Sequence, residues 1–91
     1  MQRVRITVIG GVQGVGFRFF AQREAQNRQL TGYVKNCPDG SVVLEAQGKP
    51  SALEALALSL EHGPRMARVE RVQVSPKAVC PGEMEFEIRF D

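Results

Sequence analysis

Hydrophobic and polar residues alternate clearly at the two ends of the chain, as in Val4-Arg5-Ile6 and Phe86-Glu87-Ile88. A period of two residues predicts strands with one buried face. The chain contains five such predicted strands, over residues 3–9, 30–36, 41–47, 67–74 and 84–90. Alternation in the fourth is imperfect, which indicates a β-bulge. Pro38-Asp39-Gly40 predicts a hairpin turn between the second and third strands.

Two stretches have the period of a helix instead. The first predicted helix starts at Phe17 and ends near Asn27 or Arg28, and its apolar face is formed by Phe17, Phe20, Ala21 and Ala25. The second begins at Pro50-Ser51, where Ser51 and Glu54 have the spacing of a capping box, and it stops at Gly63-Pro64. Its buried stripe is predicted to consist of Leu53, Leu56, Ala57 and Leu60.

The order of these elements predicts the fold class. It is β-α-β-β-α-β, with the fifth strand taken as the last β of that pattern. This is the ferredoxin-like split βαβ arrangement of the α+β class, an antiparallel sheet with two helices on one face. Right-handed crossovers place the first and third strands side by side in the middle of the sheet. A chain of 91 residues is expected to form one domain, residues 1–91.

Composition and charge exclude several function classes. Hydrophobic residues make up 43% of the chain and charged residues 24%, which is an ordinary globular mixture. A net charge of +2 without a clustered patch does not favour nucleic acid as a partner. Cys37 and Cys80 stand apart and His62 is the one histidine, so no metal site and no cofactor are expected. Without a signal-peptide-like or membrane-spanning apolar run, we expect a soluble, cytoplasmic protein. We also expect it to be a monomer.

The segment between the first strand and the first helix is the most informative. Residues 10–16 read Gly-Gly-Val-Gln-Gly-Val-Gly and are here called the glycine loop; Arg18 follows in the first helical turn. Glycines let backbone N–H groups surround an anion, a helix N-terminus attracts negative charge, and a guanidinium matches two phosphate oxygens. The pattern is compatible with a phosphate site, or with a flexible connection beside a solvated arginine.

Asn36 is the second candidate residue. By parity it shares one face of the second strand with Leu30 and Val34, which should look toward the helices. Its amide could bind a water molecule near the glycine loop. Taken alone, Asn36 is better interpreted as an asparagine that closes a strand before a turn, and Cys37 is interpreted as a turn residue.

Two sequence motifs resemble those of the acylphosphatase family. Residues 11–18, G-V-Q-G-V-G-F-R, are similar to its V-Q-G-V-G-F-R motif, and residues 32–40 are similar to its G-[WY]-V-x-N-x-x-D-G motif. The resemblance covers nearly the whole chain, including Gln47-Gly48 and residues 63–69. The chain departs from the family pattern at three places. Gly11 stands where the family often has a basic or polar residue, and Arg28-Gln29 stand where it usually has a glycine. Tyr33 stands where tryptophan is common.

The resemblance implies hydrolysis of the carboxyl–phosphate bond of acyl phosphates. Arg18 would bind the phosphoryl oxygens, and Asn36 would hold the attacking water. Backbone N–H groups would also contact the phosphate, from Val12, Gln13, Gly14, Val15, Gly16 and Phe17. The substrate's own phosphate oxygens would take the proton of the water, and no metal is needed.

Two other functions remain open. The same fold could be an accessory domain that binds phosphate or carbamoyl phosphate without catalysis, as in larger carbamoyl-handling maturation proteins. It could also be a nucleic-acid-binding module, but such modules need aromatic residues on the exposed face of the central strands. The residues expected there are Arg3, Arg5, Thr7, Ser41, Val43 and Glu45. Four phenylalanines are expected in the core instead: Phe17, Phe20, Phe86 and Phe90.

Overall fold

Strands and helices follow one another in the order β-α-β-β-α-β-β along residues 1–90, the part of the chain that the computed structural model describes. The strands are β1 (Gln2–Gly11), β2 (Thr31–Asn36), β3 (Val42–Gly48), β4 (Arg68–Lys77) and β5 (Phe86–Arg89). The helices are α1 (Phe17–Asn27) and α2 (Pro50–His62). Every element predicted from the sequence is present, although β1 and β4 extend beyond their predicted ends, β1 into Gly10 and Gly11 of the glycine loop, and β5 is shorter than predicted.

The five strands form one sheet in the order β4-β1-β3-β2-β5. The predicted central pair of β1 and β3 is confirmed. The prediction of a purely antiparallel sheet is wrong, because β2 and β5 pair in parallel and the sheet is mixed. The place assigned to the fifth strand belongs to β4, which the α2 crossover brings beside β1. The chain then reverses direction after β4, so β5 runs parallel to β2 at the opposite edge.

The predicted bulge lies in β4. Its pairing with β1 shifts from Ile9–Arg71 to Gly10–Val69, so Glu70 is the extra residue. Gly10 has a φ of 140°, and a β-carbon there would lie 2.1 Å from the Arg68 carbonyl oxygen. Only glycine allows the two backbones to approach this closely. The bulge therefore lies opposite the point where β1 enters the glycine loop.

Both helices pack on one face of the sheet and bury their apolar stripes. The buried helical residues are Phe17, Ala21 and Ala25 of α1 and Leu53, Leu56 and Leu60 of α2. They meet strand residues that are equally buried, among them Ile6, Val8, Val34 and Leu44. Phe20 packs partly buried against this core. The helical period therefore identified the core face, except that Ala57, predicted in the buried stripe of α2, is only half-buried.

Two sequence expectations about the ends of the helices and the core are wrong. The N-cap of α2 is Lys49, and Ser51 lies inside the first turn, so no capping box forms. Proline is favoured at the first helical position, and here Pro50 rather than a side-chain cap starts the helix. Phe90, expected in the core, is 73% exposed because it follows the last residue of an edge strand. No helix within residues 1–90 has the length and apolar character to cross a membrane.

Candidate active site

The glycine loop turns the chain from β1 into α1 through left-handed backbone conformations. Gly14 has a φ of 75° and Gly16 a φ of 78°, and a β-carbon at either position would meet no atom within 4 Å. The backbone conformation rather than lack of space therefore favours glycine here. Gly16 is the N-cap of α1 and supplies no side-chain cap. The N–H groups of the first helical turn thus remain available to an anion.

A small cleft of about 100 Å³ lies at this helix N-terminus. Its walls are formed by residues of the glycine loop, the start of α1 and the end of β2: Val12, Gly14, Gly16, Phe17, Arg18, Phe19 and Asn36. The fold therefore brings Arg18 and Asn36 to one cavity, although they belong to different elements. Gln13 and Val15, two of the predicted phosphate-binding residues, are not among the lining residues.

Asn36 is half-buried at the end of β2, where it pairs with Val42 of β3. It shares its face of the strand with the fully buried Val34, as the parity argument predicted. Because the strand ends here, the side chain borders the cleft rather than the core.

Arg18 is half-buried beside the end of β5. Its Nη1 donates a hydrogen bond of 3.3 Å to the Arg89 carbonyl oxygen. Its guanidinium carbon lies 4.6 Å from the centroid of the Phe90 ring. A cation over an aromatic face is stabilised by the ring quadrupole. The last strand therefore helps to hold this cation at the edge of the cleft.

The side chain of Gln13 has a role that sequence reasoning missed. Its Nε2 donates one hydrogen bond of 2.8 Å to the Cys37 carbonyl oxygen and another of 2.9 Å to the Ser41 carbonyl oxygen. Both acceptors belong to the turn that directly follows Asn36. The sequence predicted a role only for the backbone N–H of Gln13. A long amide among small residues was the available signal, because its two hydrogens can join separate segments.

Further hydrogen bonds hold this turn in one conformation. Cys37 N–H donates to the Ser41 carbonyl at 2.9 Å, and Gly40 N–H donates to the Cys37 carbonyl at 3.1 Å. Asp39 accepts from the Ser41 hydroxyl at 2.6 Å and from the Ser41 backbone N–H at 2.9 Å. These two bonds, the hydroxyl first, lower the pKa of Asp39. Cys37 is thus a free thiol in a turn, as predicted.

Gly11, the departure from the motif, is tolerant of a side chain. A β-carbon there would lie 3.5 Å from the β-carbon of Arg68, which is ordinary van der Waals contact. The absence of a basic or polar side chain at this position therefore has no steric cause in the fold.

The acylphosphatase family model matches residues 4–88. The chain belongs to the acylphosphatase family. It is 48% identical over 90 residues to an acylphosphatase of Geobacillus thermodenitrificans, covering 99% of this chain and 96% of that one. Hydrolysis of acyl phosphates is the activity of this family, and small acyl phosphates are its substrates.

Solved structures support the same assignment. The crystal structure of an acylphosphatase from Bacillus subtilis superposes with a TM-score of 0.93 at 39% identity, covering 98% of this chain and 99% of that one. A second similarity is to full-length HypF in a phosphate- and nucleotide-bound form, with a TM-score of 0.85 at 28% identity. This match covers 97% of the present chain but 12% of that protein. The acylphosphatase fold therefore also occurs as a small part of a longer chain.

Proposed function

We propose that residues 1–91 act as one catalytic domain that hydrolyses acyl phosphates without a metal ion. Arg18 and the backbone N–H groups of residues 12–17 bind the phosphoryl oxygens, and Asn36 positions the attacking water. The single observation that supports this best is the convergence of Arg18, Asn36 and the N-terminus of α1 on one cleft. A phosphoryl group there would meet a permanent cation and several oriented N–H groups.

The reaction is a displacement at phosphorus. The water oxygen attacks phosphorus, the bond to the acyl oxygen breaks, and the carboxylate leaves with the bonding electrons. The proton of the water passes to a phosphoryl oxygen, so inorganic phosphate and a carboxylate are the products. The described residues that line the cleft include no carboxylate, histidine or lysine. Catalysis therefore depends on positioning and on preorganised donors that stabilise the charge of the transition state.

We further propose that the protein is a cytoplasmic monomer without a nucleic-acid partner. Both cysteines are free, which is typical of a reducing compartment. Arg3, expected on the exposed sheet face, is only 6% exposed and hydrogen-bonded to Glu45 and Glu83, so it has little freedom to contact a phosphate backbone. Gel filtration coupled to light scattering tests the monomer, and a nucleic-acid titration at low salt tests the absence of binding.

The role of Asn36 is tested by release of inorganic phosphate from benzoyl phosphate in the presence of EDTA. We expect Asn36→Ala to lower kcat about 100- to 1,000-fold, the usual effect of removing one preorganised donor. KM and inhibition by inorganic phosphate should change little, because the anion ligands remain. Asn27→Ala, a matched change on the outer surface of α1, should behave like wild type. Full activity of Asn36→Ala contradicts the water-positioning role, and loss of wild-type activity on adding EDTA contradicts the metal-free reaction.

A non-catalytic phosphate-binding role is the second candidate, favoured by the similarity to a small part of HypF. The same assay separates the two. A wild-type protein that binds inorganic phosphate in calorimetry but releases none from acyl phosphates would have the accessory role instead.

A further inference from the structure

Two exposed aromatic rings stand at the edge of the cleft. Phe19 is 64% exposed and Phe90 is 73% exposed. Phe19 directly follows Arg18 in α1 and lines the cleft itself. Phe90 contacts the Arg18 guanidinium, with 4.6 Å between the guanidinium carbon and the ring centroid. A phosphoryl group bound to Arg18 would therefore have an apolar surface beside it on the β5 side.

A larger groove continues from this aromatic edge. It has a volume of about 770 Å³ and lies between α1 and β5, with Phe19 as a wall that it shares with the cleft. Among its lining residues are Phe86 and Ile88, which share one face of β5 by parity, and Phe90, which directly follows the strand. A substituent attached to the bound phosphate can therefore pass from the cleft into a partly apolar groove without crossing the protein.

The polar groups of this groove are neutral or acidic. Gln22 and Gln26 donate from Nε2 to the Phe86 carbonyl oxygen, at 3.2 Å and 3.5 Å. Glu85 and Glu87 also line the groove, although the Glu87 carboxylate is paired at 3.0 Å with Arg89, and none of the described lining residues is a cation. Arg89 lies on the opposite face of the sheet, where its guanidinium carbon is 3.9 Å from the centroid of the Tyr33 ring. A second carboxylate on the substrate would thus find no cationic partner in the groove.

We infer that the acyl group of the substrate lies against Phe19 and Phe90, so that neutral aromatic or apolar acyl phosphates are preferred. This inference rests on the proposed function, because it assumes that the phosphoryl group occupies the cleft beside Arg18. Phe19 and Phe90 act as specificity residues: they contact the acyl group and leave the reacting bond to Arg18 and Asn36. Removing apolar surface from water favours the bound acyl group, and an aromatic acyl group gains more than a methyl group.

The experiment compares kcat/KM for benzoyl, acetyl and succinyl phosphate, the last carrying a second carboxylate. For each variant we take the ratio of kcat/KM for benzoyl phosphate to kcat/KM for acetyl phosphate. Comparing this ratio with that of wild type removes the intrinsic reactivity of each substrate. We expect Phe19→Ala to lower that ratio about 10-fold, within the range for loss of an apolar contact. Phe19→Leu keeps an apolar side chain and should lose less. Leu58→Ala, an equally exposed apolar residue on α2, is the matched control and should keep the wild-type ratio.

Phe90→Leu should lower the ratio in the same direction, and succinyl phosphate should be the poorest of the three substrates for wild type. Two results would overturn the inference: an unchanged ratio in Phe19→Ala and Phe19→Leu, or succinyl phosphate turned over as well as benzoyl phosphate. Calorimetry with the non-hydrolysable benzoylphosphonate and acetylphosphonate separates this inference from the proposed function. If benzoylphosphonate binds more tightly than acetylphosphonate but no acyl phosphate is hydrolysed, only the enzyme activity is refuted. If acyl phosphates are hydrolysed but the two phosphonates bind equally, only the acyl site is refuted.

Discussion

Arg3 and Arg18 occupy opposite ends of the molecule and very different surroundings. Arg3 is buried, and its guanidinium donates to Glu45 at 2.9 Å, to Glu83 at 2.8 Å and to Gln47 at 3.1 Å. Arg18 lines an open cleft, and within residues 1–90 it makes one hydrogen bond of 3.3 Å to a carbonyl oxygen. The first arginine has acceptors fixed by the fold, while the second presents donors to a cavity that can receive an anion.

A set of hydrogen-bonded side chains, here called the Arg3 cluster, joins the sheet to the segment between β4 and β5. It consists of Arg3, Glu45, Gln47 and Glu83. Gln47 accepts from the Cys80 N–H at 2.8 Å and donates to the Cys80 carbonyl at 2.9 Å, while Glu83 pairs with Arg3. These bonds fix the path that leads the chain back to β5, whose far end contacts Arg18. Arg3 therefore stabilises the fold, whereas Arg18, held by the end of β5, is available to an anion in the cleft. The partners of a charged residue, more than its type, therefore separate a structural from a functional role.

The largest expected effect that tests this contrast is at Arg18. Arg18→Ala should lower kcat/KM about 1,000-fold, because an ionic ligand of the transition state is lost. Its free energy of unfolding should change by less than about 1 kcal/mol, since the side chain is partly exposed. Steady-state kinetics and urea unfolding check the two parts. Arg23→Ala, an exposed arginine of the same helix, should match wild type in both; equal losses in the two variants would contradict the assignment.

The reverse pattern is expected at Arg3. Arg3→Met should lower the free energy of unfolding by about 3 kcal/mol, because Glu45 and Glu83 lose a partner in a poorly hydrated place. Its kcat/KM should stay within about twofold of wild type, since Arg3 and Gly11 are about 26 Å apart along β1. Arg5→Met is the control, because its contact with Glu45 is 3.6 Å and more exposed. A large loss of kcat/KM in Arg3→Met with little loss of unfolding free energy would contradict the structural role of Arg3.

The contribution of the Arg3 cluster to the free energy of unfolding should depend on pH. Burial acts to raise the pKa of Glu45, but hydrogen bonds from Arg3 and Tyr33 outweigh it and leave the pKa below its ordinary value of 4.5. A carboxyl with a lowered folded-state pKa stabilises the protein above its unfolded pKa, and this stabilisation is lost as pH falls through the folded value. The difference in unfolding free energy between wild type and Arg3→Met should therefore be largest near neutrality and shrink below about pH 4.5. Urea unfolding across pH measures it, and a constant difference would exclude Glu45 as the partner responsible.

The smallest expected effect concerns Gln13, which joins the glycine loop to the turn after Asn36. Gln13→Met keeps the length of the side chain but removes both N–H donors. We expect kcat to fall about 10-fold, since a small misplacement of a positioning group is costly. Affinity for inorganic phosphate should be nearly retained, which a general collapse of the loop would not allow. Gln73→Met, on the exposed face of β4, is the control. A loss of phosphate affinity as large as the loss of kcat would show that Gln13 serves only the loop.

Much of the fold could be predicted because its signals are local. The apolar spacing of Phe17, Ala21 and Ala25 defines the buried face of α1, and the alternation in β1 defines its inner side, whatever lies opposite. The predicted position of the fifth strand was wrong because strand pairing depends on where the preceding segment crosses the sheet. That path is fixed by Arg3, Gln47 and Glu83, whose contacts join residues far apart in the chain.

The candidate site was predicted unequally. The glycine content of residues 10–16 indicated a loop that could surround an anion, and the structure adds that Gly14 and Gly16 have positive φ angles. Arg18 and Asn36 were candidates from their positions in the chain, but only the family resemblance assigned their roles, because neither spacing nor residue type alone separates them from solvated residues. The bonds of the Gln13 side chain and the exposure of Phe90 were missed, since both depend on neighbours from other elements.

By itself, then, the sequence determined the order of the elements, the core faces of the helices and the family. These follow from periodicity and motifs, which act over a few residues. Only the tertiary structure decided that β5 runs parallel to β2, that Arg18 and Asn36 share a cleft, and that Phe19 and Phe90 border it. These features arise when distant segments meet, and their free energies depend on packing and desolvation that no local pattern records.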